Sequence, residues 1–499
     1  MDGNNDMYII VGNLHIKPYE IQSLLEIKIE QKMNEHGTFY FKGVLPDGSG
    51  EYYAETSTKG TPITLTATDN NEREYTLFQG LVNNLEIHAS QGVYYIEVHA
   101  VSYSFLMDIA RKSRSFQDKN MPYANLIRQV TANYPNAAVI DTVPTDNPTN
   151  KLIIQHLETD WGFLKRMASH FNTGLICDVH FAGAKYFFGV PEIETLSLDN
   201  INYTIRKDMQ RFQLLSQNGV DGLNEEDFIY YEIETRNIVN IGDCVQFNGR
   251  TLYVYSITSH VNKGVFTNLC VLSSKKAFSQ NRREHLEAVG MSFGGNVIDV
   301  QNDRVKVHLD IDQEQDVATA YLLPYSTLYS TNDGSGWYFM PAIGDRVRVY
   351  CPDGEDDHAY AISSVHEPVE QGTGAQAMSN RSGQGEGSVD IASLTSGYSG
   401  MRDDPSVKSL VANGKEIRIT EEGIYIITEK SVIALTDEDG IILMSEDDIS
   451  FKSNKSIYFG AEEGIQMVAG ESIIMNRGDS ASIVIHEDIE VKGQEVKLN

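Results

Sequence analysis

The sequence predicts a mainly β protein with a few helices, and three observations lead to that fold class. Short segments in which apolar and polar residues alternate fill residues 7–104 and return at residues 175–272. Five more such segments lie close together between residues 291 and 366. From residue 417 onward, apolar residues recur every eight positions. Alternation is the period of a strand, and a period of eight does not fit a helix.

The first unit, residues 1–104, is predicted to be a β-barrel or sandwich. Pro46-Asp-Gly and the run Asp69-Asn-Asn have the composition of turns and separate its alternating segments. The predicted strands are 24–30, 38–44, 62–67, 75–85 and 94–100.

Two helices and a second β domain are predicted for residues 105–285. Pro122 suits the first turn of a helix that runs to about residue 133. Asp160 can cap a helix over residues 161–171, and Phe163, Leu164 and Phe171 fall on one face of it, which indicates a buried docking helix. Strands then return up to residue 272.

A small closed barrel is predicted for residues 286–370, followed by a connector at residues 371–410. The barrel's predicted strands are 296–299, 304–310, 318–323, 346–350 and 359–365. In residues 371–400, thirteen of thirty positions are Gly or Ser, which is typical of an irregular linker.

The last unit, residues 411–499, contains eight octads, each with two apolar residues. The first member of each pair is Ile417, Tyr425, Ile433, Ile441, Ile449, Ile457, Ile465 or Ile473. The second members, two residues later, are Ile419, Ile427, Leu435, Leu443, Phe451, Phe459, Met467 and Met475. On a helix this period slips by about 80° per repeat, so each octad is predicted to be a short strand and a turn.

Two apolar side chains per octad cannot form a core within one chain. We therefore predict that three chains wind about one axis as a triple-stranded β-helix needle, with these sixteen side chains at the trimer axis. The alternative is a zigzag antiparallel sheet that rests on the rest of the chain.

Composition argues against several functions. With 40 Lys and Arg against 70 Asp and Glu, the formal charge is −30, and no binding to nucleic acid or anionic lipid is expected. The four cysteines are scattered, the histidines form no metal-ligand motif, and no nucleophile motif is present, so we expect no enzyme activity, metal or cofactor. The N-terminus has no signal-peptide pattern, which predicts synthesis in a bacterial cytoplasm.

The order of these parts resembles the VgrG family of contractile injection systems, and also the hub and spike of contractile-tailed phages. The resemblance lies in residues 158–168, which include Asp160, Trp161, Phe163 and Leu164, and in residues 102–116. The third unit is similar to the family's OB-fold barrel in residues 296–297, 304–307 and 353–354, and in a motif formed by Trp337, Pro341, Gly344 and Asp345.

The resemblance implies a trimeric hub of two β-barrel domains, a collar of OB-fold barrels and a needle. Its partners would be tail tube and baseplate proteins, and its role would be mechanical piercing of a target envelope on sheath contraction. The interval between residues 365 and 411 is too short for a lysozyme domain, and the C-terminus has no HxH apex. We therefore expect a separate PAAR-type tip protein, and assembly into a phage-tail-like particle that is released or injected.

Two other functions fit the sequence less well. One is an adhesive phage tail fibre, with the octads as its stalk; the chain ends in the needle instead of a binding domain. The other is a cell-wall-degrading enzyme.

Overall fold

The computed structural model describes residues 9–192, 195–198, 202–328, 336–362, 406–477 and 481–485. The protein is mainly β, as the sequence predicts. Its helices are α1 Ser49–Thr56, α2 Tyr123–Thr131, α3 Asp160–Ser169 and α4 Met209–Gln217. None of the described helices is long and apolar enough to span a membrane.

An N-terminal body, residues 9–285, contains the first seventeen strands. These are β1 Leu14–Lys17, β2 Ser23–Lys32, β3 Thr38–Val44, β4 Pro62–Thr68, β5 Glu74–Ser90, β6 Val93–Ser102, β7 Arg111–Phe116, β8 Ala138–Asp141, β9 Ile153–Thr159, β10 Leu175–Cys177, β11 Lys185–Phe188, β12 Thr195–Ser197, β13 Tyr203–Lys207, β14 Ile229–Thr235, β15 Cys244–Phe247, β16 Arg250–Asn262 and β17 Val265–Ser273.

Strands from both predicted hub domains share one sheet. Its main path runs β1-β4-β5-β6-β3-β2-β16-β17-β14-β13, and β12 and β15 pair beside it. The junction is β2 with β16, where Lys32 lies opposite Ser256 and Lys28 opposite His260. The apolar cores do not follow the predicted domain boundary either. The larger core combines Phe39 of the first unit with Trp161 and Phe163 of the second, and the smaller core includes Met33 of the first unit. The junction joins strands that lie more than 200 positions apart, which local alternation cannot reveal.

The predicted helices are present with small shifts at their ends. Helix α3 begins at Asp160, and the side chain that caps it belongs to Thr159, which accepts a hydrogen bond from the amide of Gly162. The prediction of Asp160 as the cap was wrong, because its carboxylate is fully buried among cations. Helices α1 and α4 were not predicted.

Within residues 292–328 and 336–362, five strands form a closed barrel. Its sheet order is β20-β19-β18-β22-β23. A parallel bridge between Tyr325 and Ala361 and a hydrogen bond from the amide of Ser326 to the carbonyl of Ala361 join the two ends. The strands are β18 Ser292–Gln301, β19 Arg304–Leu309, β20 Leu322–Pro324, β22 Arg346–Tyr350 and β23 Tyr360–Ile362.

One predicted barrel strand, residues 318–323, begins later than expected. The backbone amide of Ala318 donates to the side-chain carboxylate of Asp316, and the backbone amide of Ala320 donates to the backbone carbonyl of Asp316. A turn therefore occupies the start of this segment. A short strand that was not predicted, β21 Gly336–Tyr338, lies between β20 and β22 in sequence but leaves the barrel sheet.

The C-terminal part is an antiparallel meander, a segment without strands and a short hairpin. The meander is a six-stranded sheet in the order β21-β24-β25-β26-β27-β28. Residues 446–472 belong to no strand, and a hairpin of β29 and β30 follows. The strands are β24 Lys408–Ala412, β25 Lys415–Ile419, β26 Gly423–Ile427, β27 Ser431–Thr436, β28 Gly440–Ser445, β29 Ile473–Arg477 and β30 Ala481–Ile485. Most of the predicted connector lies outside the described residues.

Candidate assembly surface

The first strands of the octad region present an apolar face that nothing in the described chain covers. Residues directly opposite one another in an antiparallel ladder point to the same side of the sheet, so the register identifies the members of this face. We call this set the apolar face: Ile417, Ile419, Ile424, Ile426, Ile433, Leu435, Ile441 and Leu443. Each of the eight is between 42% and 72% exposed.

The other side of the same sheet is buried, and we call it the covered face. Ile427, Val432 and Ala434 form a small core there, with exposed fractions of 5% or less. A buried ion pair lies beside them, in which Arg418 donates to the Glu416 carboxylate over 2.7 Å. The sheet thus has one face that is satisfied within the chain and one that is not.

The strict eight-residue phase is wrong for one strand. Tyr425 and Ile427 were predicted to share a face with Ile417, but the structure places them on the covered face, and Ile424 and Ile426 take their positions. The sixteen predicted core residues therefore do not all lie on one face.

Two tight turns are the physical reason for this shift. The amide of Thr420 donates to the carbonyl of Gly423, and the amide of Thr428 donates to that of Ser431. Each threonine hydroxyl also accepts the closing amide, from Gly423 or from Ser431. These turns are one residue shorter than the octad requires. The first turn therefore moves the octad positions of β26 to the opposite face of the sheet, and the second turn returns those of β27 to the original face.

The later octads, in residues 446–472, also expose their apolar residues. These are Ile449, Phe451, Ile457, Phe459, Ile465 and Met467, each 44% to 62% exposed. The rings of Phe451 and Phe459 meet edge to face with centroids 6.2 Å apart, so successive octads place these side chains on one side. Residues 446–472 pair with no strand of the described chain.

Asp160, one of the four motif residues in the N-terminal body, is a buried anchor. It is fully buried, and its carboxylate accepts hydrogen bonds from Lys112 at 2.6 Å, Arg114 at 2.7 Å, Tyr134 at 2.8 Å and Gln155 at 3.0 Å. A carboxylate held by two cations and two neutral donors is satisfied in place, and this arrangement fixes the start of α3.

The other three motif residues lie in the core of the N-terminal body. Trp161, Phe163 and Leu164 are fully buried. The indole of Trp161 donates to the carbonyl of Asn34 over 3.3 Å, and the ring of Phe163 stacks on that of Phe116. These residues build the fold and are not available to bind a ligand.

A dense polar joint connects the N-terminal body with the barrel. The amide of Ser115 donates to the carboxylate of Asp312 over 2.6 Å. The side chain of Gln117 donates to the carbonyl of Val307 and accepts from the amide of Tyr321. Leu152 and Ile154 of the body also pack into the barrel core. The two units are therefore held by polar and apolar contacts together.

Within the barrel motif, Trp337 differs from its companions. Asp345 accepts a hydrogen bond from the amide of Ala342 over 2.8 Å, and Gly344 has a positive φ of 96°, so both shape the turn that leads into β22. Pro341 is buried. Trp337 is 41% exposed.

We find little in the described residues that supports chemistry. No group of three or more His, Cys, Asp and Glu able to hold a metal ion lies in the described ranges. A cleft of about 900 Å³ is lined by Tyr75, Cys177 and Phe187, among others. Burial raises the pKa of the Cys177 thiol, which disfavours the nucleophilic thiolate.

Comparison with known proteins places the fold among tail and secretion proteins. No protein-family profile matches the sequence, and no curated protein matches it. The structure is similar to the E. coli c3393 protein, a component of the type VI secretion system with structural similarity to tail proteins gp27 and gp5 of bacteriophage T4. The TM-score is 0.51 at 11% identity, covering 71% of this chain and 99% of that one.

Two further solved structures are also similar. One is a Francisella PdpA-VgrG complex, with a TM-score of 0.44 and 9% identity over 88% of each chain. The other is the 43 kDa tail protein of prophage MuSo2 from Shewanella oneidensis, with a TM-score of 0.42 and 11% identity over 56% of this chain and 100% of that one. The similarity to the c3393 protein, at 11% identity, concerns the fold.

Proposed function

We propose that this protein is the central spike and baseplate hub of a contractile injection system, and that it works as a homotrimer. The observation that carries the proposal is the apolar face, which is exposed in one chain and continues into the exposed residues of the later octads. Contiguous apolar surface of this kind marks an interaction site.

The amount of apolar surface favours association of three chains. Each of the fourteen half-exposed aliphatic, aromatic and methionine side chains on the apolar face and in residues 446–472 gains about 1 kcal/mol on full burial. For three chains, the favourable free energy of burial is roughly 40 kcal/mol. The loss of translational and rotational freedom in two association steps costs on the order of 8 to 30 kcal/mol. A closed threefold prism also leaves no lateral sheet edge exposed.

In this proposal the needle has two parts. From β24 to β28, each chain supplies a complete wall of the prism, because its strands pair with one another. Residues 446–472 form no strand with other described residues of the same chain, so in this proposal the three chains pair with each other there. This second part is the triple-stranded β-helix that the octads predict, and the five-stranded barrel serves as the OB-fold collar.

The proposed role is mechanical. The N-terminal bodies form the threefold hub that meets the tail tube and baseplate proteins, and sheath contraction drives the needle into the target envelope. Strand hydrogen bonds and a dry apolar core give the needle rigidity. We further propose that the protein acts without enzymatic activity and is assembled in the bacterial cytoplasm into a phage-tail-like particle.

A test of the central claim is the mass of the purified protein, measured by native mass spectrometry and sedimentation. We expect a trimer at micromolar concentration. The variant Ile433→Asp would place three charges in the apolar core and should give monomers with an intact N-terminal body. The matched control Glu438→Asp, in an exposed turn, should remain trimeric. A well-folded wild-type monomer would overturn the proposal.

The needle end is proposed to bind a PAAR-type tip protein, because an open prism end leaves strand edges uncovered. Residues 486–499 lie outside the described part of the chain. Truncation after Met475 should abolish capture of a purified PAAR-type protein and leave the trimer intact. Equal capture by the truncated and full-length proteins would contradict this assignment.

A further inference from the structure

Strand β21 lies in the barrel sequence but belongs to the sheet of the needle. Its two sides face different surroundings. Tyr338 is 7% exposed in the barrel core, and its hydroxyl donates to the carbonyl of Asn302 over 3.0 Å. Trp337 points to the opposite side and is 41% exposed, and its ring lies 5.5 Å from that of Phe339, which is 43% exposed. One short strand therefore contributes to two separate apolar surfaces.

The register carries Trp337 into the apolar face. Trp337 lies opposite Leu410 in β24, and Leu410 lies opposite Ile417 in β25. The same row continues through the next three strands. Its six members in spatial order are Trp337, Leu410, Ile417, Ile426, Ile433 and Leu443.

This row is continuous and apolar along its whole length. Adjacent strands lie about 4.8 Å apart, so the row runs roughly 24 Å from the barrel down the meander. Five of its members are between 41% and 44% exposed, and Leu410 is half-buried. The row therefore stays apolar and partly exposed across the boundary between barrel and needle.

We propose that Trp337 is the first residue of the threefold core, so that three copies of it meet around the axis at the level of the barrels. This inference rests on the proposed trimer and extends its interface from the octads into the barrel. The surface around Trp337 is thus covered by Trp337 and its neighbours from two further copies of the chain. Barrel and needle then share one core and one sheet, without a hinge between them.

The physical argument is one of continuity. A rigid sheet whose aliphatic row faces the axis must present the next residue of that row to the axis as well, because paired residues point the same way. Trp337 is also the largest side chain of the row, and it lies where the meander joins the barrel. A bulky aromatic ring at this end of the row buries a large apolar area when three copies meet.

Tryptophan fluorescence tests the inference directly, because the chain contains only two tryptophans. Trp161 is fully buried in the N-terminal body, whereas Trp337 is partly exposed in a single chain. We expect acrylamide to quench little of the emission of the wild-type trimer. In the dissociated Ile433→Asp variant, acrylamide should reach Trp337 and quench its share of the emission. The variant Trp337→Phe supplies the emission of Trp161 alone for subtraction.

The outcomes separate this inference from the proposed function. A trimer whose Trp337 component is quenched as strongly as in the dissociated variant would overturn the inference and leave the proposed function standing. The absence of a trimer would overturn both. Quenching that is weak in both proteins would show that Trp337 is covered within one chain, and would also overturn the inference.

A substitution series gives a second readout. Trp337→Glu should raise the concentration at which the trimer dissociates by at least about tenfold, while Trp337→Phe should leave it nearly unchanged. Leu328→Glu is the control, because Leu328 is an exposed barrel residue outside the row. Equal dissociation of the Trp337→Glu and Leu328→Glu variants would contradict the assignment.

Discussion

The guanidinium of Arg166 donates a hydrogen bond to the carboxylate of Asp356 over 3.1 Å, although 190 positions separate the two residues in the sequence. Arg166 is 3% exposed and Asp356 is 4% exposed. Burial acts to raise the pKa of Asp356, but contact with His285 and the charge of Arg166 outweigh it, and the pKa is lowered. This ion pair ties the N-terminal body to the barrel.

Removal of the Arg166 guanidinium should destabilise the folded protein. In Arg166→Met, the carboxylates of Glu158 and Asp356 lose their buried partner, and we expect a loss of about 3 to 5 kcal/mol in the free energy of unfolding. Urea unfolding followed by circular dichroism measures it. The control is Arg128→Met, because Arg128 is an exposed residue 3.7 Å from Asp141 and should contribute less than about 1 kcal/mol. Equal losses would contradict the prediction.

Acid should destabilise the N-terminal body through His170. Burial, followed by the charges of Lys151, Arg282 and Arg166, lowers the pKa of His170 to about 3. The folded state therefore keeps the ring neutral while the unfolded state binds a proton below about pH 6.5. Stability from this residue is present above pH 6.5 and is lost as the pH falls toward 3.

The size of this effect can be measured with one variant. At pH 4.5 the loss from His170 is about 2.7 kcal/mol, from two units of pH at 1.36 kcal/mol each. His170→Gln should be less dependent on pH between 6.5 and 4.5 by about that amount, as measured by urea unfolding at several pH values. If the variant and the wild type lost stability in parallel over this range, the assignment to His170 would be wrong.

The proposed strand phase of residues 446–472 can be tested with adjacent residues. Ile449 is proposed to face the trimer axis, so Ile449→Asp brings three uncompensated charges together and should destabilise the needle by several kcal/mol, on the order of 2 to 7. Ser450→Asp places the same charge on the outside and should have little effect. Thermal dissociation of the trimer is the readout, and equal shifts for the two variants would mean that the strand phase is different.

The connector should be dispensable for holding the needle to the barrel. Strand β21 pairs with β24 through three residue pairs, and the ammonium of Lys408 donates to the carbonyl of Met340. A protease site inserted after Gly385 and then cut should leave both fragments together on size-exclusion chromatography. Lys408→Met should weaken their association. Complete separation of the wild-type fragments would show that the covalent link alone holds the needle.

Local patterns predicted the strands well where one face is buried and the other is not. The bounds of β3 were predicted to the residue, and β4, α2 and α3 to within two residues at each end, because alternation and helical periodicity are properties of neighbouring residues. The apolar residues of the octads were also identified, since a period of eight excludes a helix. Two turns in the meander escaped this reasoning, because the hydroxyls of Thr420 and Thr428 shorten them by one residue.

By itself, the sequence determined the mainly β class and the apolar character of the octads, since each follows from spacing along the chain. Only the tertiary structure decided that Lys32 pairs with Ser256, that Arg166 meets Asp356 and that Trp337 lies opposite Leu410. These pairs join residues from 73 to 224 positions apart, as their numbers show. Their partners are selected by the packing of whole elements, which no local period encodes.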